Sequence, residues 1–215
     1  MEAFSLAEKH PPMAGLTISS KINLQTSVNN VTCFSLGKGT SISAEAYDRD
    51  VIYIGNGGSG DFAVGPEGEK RQLSPGEILV IRKSTLCGTS TRNGLVYTEV
   101  ISKEDLKMND NVKSGEVFRL ADLVPYQEGS IVNMDVVAND ALKFVVMAFD
   151  VGTGLSEHRA PGDAIVFALE GKATIGYEGK DYPIEAGQQF RFAKNGLHSV
   201  KADGRFKMAL LLTLK

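Results

Sequence analysis

The chain has 215 residues, 42% of them hydrophobic and 23% charged, with a formal charge of −3 at neutral pH; this balance supports a buried core and excludes a disordered chain. A sequence pI near 5.7 argues against a broad basic surface, so nucleic acid is set aside as a partner. No apolar run reaches the length of a membrane span and the opening MEAFSLAEKHPP has no basic segment followed by an apolar one, so the expectation is a cytoplasmic protein without a membrane partner.

Cys33 and Cys87 stand far apart and outside any CxxC spacing, which reads as two reduced thiols rather than a disulfide framework or structural zinc site. Twenty-three glycines against 7 prolines and no tryptophan describe a chain that turns often, and many short strands fit that better than long helices. The fold class expected is all-β.

In chain order, the opening FSLAEKH reads either as a short helical turn or as a first strand. From Val51, VIYIG is an apolar run of branched and aromatic residues ending at glycine, the signature of a buried strand. GNGGSG follows it. Because this string runs into DFAVGPEGEKRQ, with no Lys-Ser/Thr pair and no helix to lend its N-terminus, it reads as a hairpin connection and not a phosphate loop. EILVI from Glu77 and LVYTEVI from Leu95 are further strands. The polar stretch SKEDLKMNDNVKSG, residues 102–115, reads as a linker with a helical turn near Glu104. After it FRLADLV poses the same choice as FSLAEKH, and the strands AIVFALEG, QQFRF and MALLLTL complete the chain. There is no GxSxG, HExxH or kinase-like set, so nucleophilic and protease chemistry find no support.

An internal repeat organises these elements. Phe4, Leu6, Ala7, Glu8, Pro11 and Gly15 recur as Phe118, Leu120, Ala121, Asp122, Pro125 and Gly129, each 114 positions on. GKGTSISAEAYDRDVIYIGNG parallels GTGLSEHRAPGDAIVFALEG, with Gly57 and Gly171 again 114 apart, and SPGEILVIRK parallels EAGQQFRFAK at a displacement of 111. The expected organisation is an N-terminal barrel over 1–101, the linker 102–115 and a C-terminal barrel over 116–215.

The stretch GLSEHRAPGDAIVFALEGKATIGYEGKDYPIEAGQQFRFAKNGLHSV resembles the two-motif signature of the cupin superfamily in its layout: a His before a Pro-Gly turn, a strand ending in LEG, a hairpin, an AG turn and a late His. The second half is also similar to small single-domain cupins carrying HxxPGDAxV, a group of unassigned activity. The resemblance implies small antiparallel jelly-roll barrels, here two in tandem, with the first half included through the repeat.

The resemblance further implies a metal site of two closely spaced His, a Glu and a distant His, a set that suits Fe, Mn, Ni or Zn. His158 matches the first His and His198 the last, but Ala160 and Ala164 stand at the other two positions. No resident metal is therefore expected; if one is present, His158 and His198 hold it. Asp163 adds no inward carboxylate if Ala164 faces inward, because neighbouring strand residues point to opposite faces. Ala164, Val166 and Ala168 on the inner face would leave a roomier, less polar interior, and His158, Arg159, Asp163 and His198 are the polar groups expected to bind a small organic ligand there. In the first half His158 falls opposite Ala44, Ala160 opposite Ala46, Ala164 opposite Asp50 and His198 opposite Cys87. That leaves Glu45, Asp50 and Cys87 as a weak cation set, and Cys87 reads better as a small packed thiol. Two functions remain in view: a small-molecule-binding protein, which is preferred, or a cupin enzyme, either oxygenase-like with a metal or isomerase-like without one, using His158 and His198. Self-association into a homo-oligomer is compatible with either.

Overall fold

A computed structural model describes residues 2–22, 24 and 29–214. These are predominantly antiparallel β-structure, with one short α-helix and one 3-10 turn, and no described helix is long and apolar enough to cross a membrane. The all-β expectation holds. The described residues divide into two compact units: an N-terminal unit of residues 6–22 and 29–119, and a C-terminal unit of residues 2–5, 24 and 120–214.

The N-terminal unit opens with α1 (Leu6–Lys9) and continues through β1 (Thr17–Lys21), β2 (Asn29–Leu36), β3 (Ser41–Glu45), β4 (Val51–Gly58), β5 (Gly60–Val64) and β6 (Glu69–Leu73). It closes with β7 (Glu77–Ile81), β8 (Cys87–Ser90), β9 (Leu95–Ser102), β10 (Lys107–Met108) and β11 (Val117–Arg119). One sheet runs β1-β2-β9-β4-β7-β11 and the other β3-β8-β5-β6. Inward residues of both, among them Leu36, Tyr53, Phe62, Leu79 and Tyr97, form one core, as expected of a closed jelly roll.

The C-terminal unit contains β12 (Ile131–Ala138), β13 (Leu142–Phe149), β14 (Gly154–Arg159), β15 (Asp163–Tyr177), β16 (Lys180–Glu185), β17 (Gln189–Phe192) and β18 (Leu197–Thr213). They run in the order β12-β13-β18-β15-β16, with β14 on β18 and β17 on β15. Alternation is clean in LKFVVMAF of β13, where Leu142, Phe144, Val146 and Ala148 are buried and the residues between them less so. β15 turns into β16 at Glu178-Gly179, both with positive φ (49° and 77°), which the two-residue hairpin requires.

The two ambiguous openings prove to be strand first and helical turn second. Phe4 exchanges backbone hydrogen bonds of 2.9 and 2.6 Å with Gln189 before α1 begins. In β11, Phe118 stands opposite Ile78 of β7 before the 3-10 turn Leu120–Leu123. Residues 102–115 differ from a free linker, and the helical turn expected near Glu104 is absent. They are fastened to the N-terminal unit: the Leu106 N–H donates to Asp50 at 2.9 Å, Arg82 to the Leu106 carbonyl at 2.6 Å, and the Gly115 N–H to the Val80 carbonyl at 2.9 Å. Among their polar side chains, Asp105 accepts from Lys83 at 2.8 Å and Ser114 donates to the Val80 carbonyl at 3.2 Å.

Candidate functional site

β14 and β18 bring His158 and His198 directly opposite each other, just past a β-bulge between Leu155 and His158, with ring centroids 4.2 Å apart. Each imidazole donates from Nδ1 to the carbonyl two residues earlier, Ser156 at 2.8 Å and Gly196 at 2.9 Å, which leaves Nε2 as the acceptor of the neutral ring. His198 is buried and stacks on Phe192 at 4.1 Å. Burial lowers its pKa, the Gly196 carbonyl opposes that, and His158 adds to the lowering. His158 is exposed.

The other two expected residues do not join them. Asp163 is 1% exposed, and its carboxylate accepts from the Lys194 N–H at 2.7 Å and from Arg191 at 3.3 Å, anchoring the β17–β18 connection. Arg159 donates to the Asn195 carbonyl. Two imidazoles are half of a cupin donor set, and among the described residues no group of three or more His, Cys, Asp or Glu is placed to hold a metal ion. The residues present do not fit a resident metal.

Ala164, Val166 and Ala168 do share the inner face with the core of this unit, yet the roomy interior expected there is filled. Phe192 lies opposite Ala164 and Phe190 opposite Val166 in the register, so aromatic rings occupy the space that small residues vacate. Phe149, Phe190, Phe192 and Phe206 are all essentially inaccessible.

A cavity of about 240 Å³ opens instead inside the N-terminal unit, lined by Phe34, Ile42, Ser43, Glu45, Tyr47, Tyr53, Cys87, Thr89, Tyr97 and Glu99. Strand register explains the set: Tyr53 of β4 faces Glu99 of β9, Phe34 of β2 faces Tyr97 of β9, and Glu45 of β3 faces Cys87 of β8. Phe34 and Tyr97 stack with centroids 5.1 Å apart, and Tyr53 meets Tyr97 edge-on at 5.7 Å. A larger depression of about 490 Å³ lies on the outer face of the smaller sheet, where Ser41, Asp61 and Ser90 alternate with the inward Ile42, Phe62 and Thr89.

Glu99 is only 6% exposed, and it has no hydrogen-bond or ion-pair partner among the described residues. Burial, and then the nearby Glu45 carboxylate, push its pKa up to about 7. Burial also raises the Tyr53 and Tyr97 hydroxyls, which stay neutral. Cys87 is raised to about 11 by burial against an opposing hydrogen bond from Tyr53, and Cys33 to about 12 by burial, so both behave as packed thiols. Asp50 is not part of the chamber. It is 2% exposed and accepts from the Lys83 N–H at 3.0 Å, the Leu106 N–H at 2.9 Å and Arg82 at 2.8 Å. Burial pushes its pKa up, but the Leu106, Lys83 and Arg82 contacts outweigh that and hold it below the ordinary value. The set Glu45, Asp50 and Cys87 therefore does not assemble.

The register also moves the sequence correspondence by one residue. Glu45 opposite Cys87 matches His158 opposite His198, each pair lying just past an equivalent bulge, so Glu45 and not Ala44 stands at the His158 position. Asp50 matches Asp163, each accepting from the backbone of a lysine, and Val51 matches Ala164. Glu45 and His158, Asp50 and Asp163, and Val51 and Ala164 are each 113 apart, one fewer than the 114 of the openings, and a gapless comparison cannot follow a one-residue change in length between the copies.

Residues 145–214 match the family model described as cupin domain. No curated protein matches the sequence. Among solved structures, the chain is similar to a "Cupin 2 conserved barrel domain protein" from Leptotrichia buccalis, with 29% identity over 99% of this chain and 96% of that one and a TM-score of 0.87. It is also similar to a mutant salicylate 1,2-dioxygenase from Pseudoaminobacter salicylatoxidans, with 13% identity, 98% and 75% coverage and a TM-score of 0.67. Oxalate decarboxylase from Bacillus subtilis matches with 12% identity, 99% and 77% coverage and a TM-score of 0.58. At such identities the last two speak for the fold alone. The chain has the antiparallel cupin-barrel fold.

Proposed function

We propose that this protein is a cytoplasmic tandem cupin that binds a small organic molecule in the chamber of its N-terminal unit, without a resident metal. The observation that carries the reading is Glu99, a buried carboxylate with no partner among the described residues, facing a cavity walled by Phe34, Tyr47, Tyr53 and Tyr97. An apolar chamber with a few converging polar groups is the general form of a small-molecule site. The sequence favours the second barrel for the ligand; the buried rings of Phe190 and Phe192 opposite Ala164 and Val166 support the first instead.

Several parallels support the tandem reading. Phe4 and Phe118, 114 apart, pair with Gln189 and Ile78, which are 111 apart, so each opening serves the same edge of a barrel. Gly58 and Gly171 both adopt positive φ, and a Cβ on either would collide with a carbonyl oxygen, of Gly94 at 2.2 Å and of Arg205 at 2.0 Å. With the Asp50 and Asp163 anchors, these are equivalent devices at equivalent places.

Ligand-observed NMR with a library of neutral, cationic and anionic small molecules tests the site. Ser43 is exposed at the chamber, so Ser43→Trp obstructs it with little effect on folding. The expected result is hits on the wild type that disappear in Ser43→Trp and persist in His198→Ala. Hits that persist in Ser43→Trp and vanish in His198→Ala would move the site to the His pair. A second reading, an enzyme acting through His158 and His198, finds support in the free Nε2 atoms of the pair but lacks a third polar group beside them among those the sequence put forward.

A further inference from the structure

We infer that the chamber of the N-terminal unit is built for a small organic cation, whose ammonium group sits against the Glu99 carboxylate and within the rings of Tyr47, Tyr53 and Tyr97. The inference rests on the reading of this chamber as the binding site and names the chemistry it selects.

Three observations converge. First, none of the residues lining the cavity is a Lys, Arg or His, so the buried Glu99, with the exposed Glu45 beside it, has no basic side chain in the chamber to balance it. A carboxylate taken out of water without a counter-charge is costly, and a bound cation is what offsets it. Second, the fold does not need a polar group at this position. In the C-terminal unit the register gives Leu210 the place of Glu99, between Val166 and Val145 as Glu99 lies between Tyr53 and Thr32. Third, Phe34, Tyr47, Tyr53 and Tyr97 line the chamber, and the negative quadrupole of such rings attracts an ammonium group where water is excluded.

The alternatives fit less well. A divalent metal ion asks for several oxygen, nitrogen or thiolate donors, whereas the phenols here are neutral, the Cys87 thiol is held protonated, and no trio of metal-binding side chains forms among the described residues. An anion would meet Glu45 and Glu99 with no positive group among the lining residues. A neutral ligand would leave the ionised form of Glu99 without a counter-charge.

The groups facing Glu99 are Glu45 on β3, Tyr47 beyond it, Tyr53 on β4, Cys87 on β8 and Tyr97 on β9. With the phenols and thiol neutral, the charge that changes near neutral pH in this wall is that of the Glu99 carboxyl. Since burial holds Glu99 half protonated near pH 7, a cation that selects its ionised form drives off a proton, and affinity rises with pH.

Isothermal titration calorimetry with matched pairs of probes tests the inference: choline against its carbon analogue, in which tert-butyl replaces trimethylammonium, and cyclohexylammonium against cyclohexanol. Each is titrated into the wild type and Glu99→Gln. The expected result is that the cation of a pair binds and its neutral partner binds at least tenfold more weakly. Binding of the cation should tighten about tenfold from roughly pH 6 to roughly pH 8, as the ionised fraction of a group titrating near 7 rises. Glu99→Gln should remove both the preference and the pH dependence while melting as cooperatively as the wild type. Equal binding of cation and isostere, or an unchanged preference in Glu99→Gln, would overturn the cation inference and leave the chamber reading standing. No heat from either cation, with neutral or anionic ligands found by the library screen, would overturn it equally. Ligands that persist when Ser43→Trp obstructs the chamber would defeat the chamber reading itself.

Discussion

Tyr53 stands opposite Glu99 across β4 and β9, so a phenol and a carboxyl with no partner among the described residues share the inner wall of the N-terminal unit. The position is costly by construction. A sheet buries one face against its core, and an acid on that face survives only if something other than folding keeps it there.

Replacing Glu99 by the leucine found at the matching position of the C-terminal unit should therefore stabilise the protein. Burial raises this carboxyl from 4.5 to about 7, so between those values the folded chain holds a proton that the unfolded chain has lost. Wild-type stability falls as pH rises through that window, and the deficit is complete above it. A shift of this size corresponds to about 3 kcal/mol. Urea unfolding from acid to mildly alkaline pH should show this slope in the wild type and not in Glu99→Leu. A less stable Glu99→Leu at alkaline pH would contradict the burial argument.

Asp50 should respond in the opposite sense. Its hydrogen bonds from Leu106, Lys83 and Arg82 hold the folded-state pKa below the ordinary value, so its contribution is present above that value and is lost as the solution is acidified. Asp50→Ala leaves two backbone donors without partners and should cost about 2–4 kcal/mol. Denaturant unfolding with hydrogen exchange should place the loss at residues 102–115 and the β7–β8 connection.

Removal of residues 1–5 should loosen the C-terminal unit more than the N-terminal one, because Phe4 bonds to Gln189. Native-state hydrogen exchange should show the Gln189 amide losing protection while that of Ile78, on the strand that β11 covers, keeps it.

The His pair should be metal-poor. Mass spectrometry of untagged protein purified without chelator should give well under one transition metal per chain, with His158→Ala and His198→Ala indistinguishable from the wild type. Stoichiometric metal lost in both variants would contradict the fit drawn from Ala160 and Ala164.

The fold was legible because its signals are periodic and local: AIVFALEG and LVYTEVI are strands by composition, and glycines such as Gly171 mark places where a backbone carbonyl leaves no room for Cβ. His158 and His198 were legible as a pair because the cupin layout fixes both positions. The chamber was not. Its signal lay in LVYTEVI, where Tyr97 and Glu99 share a face with Leu95 and Ile101, and a glutamate on the apolar face of a buried strand marks a site. A gapless comparison puts the family's metal positions on Ala44 and Asp50, one residue off the register that pairs Glu45 with Cys87. The filling of the other barrel by Phe190 and Phe192 depends on which strands lie opposite Ala164 and Val166, a long-range fact that no local pattern carries.

Residue-resolved amide chemical-shift mapping of the library hits tests the central claim most directly. The account predicts perturbations centred on Glu45, Tyr47, Tyr53, Thr89, Tyr97 and Glu99, the residues that line the chamber. Perturbations centred on His158 and His198, with the chamber residues unmoved, would contradict it.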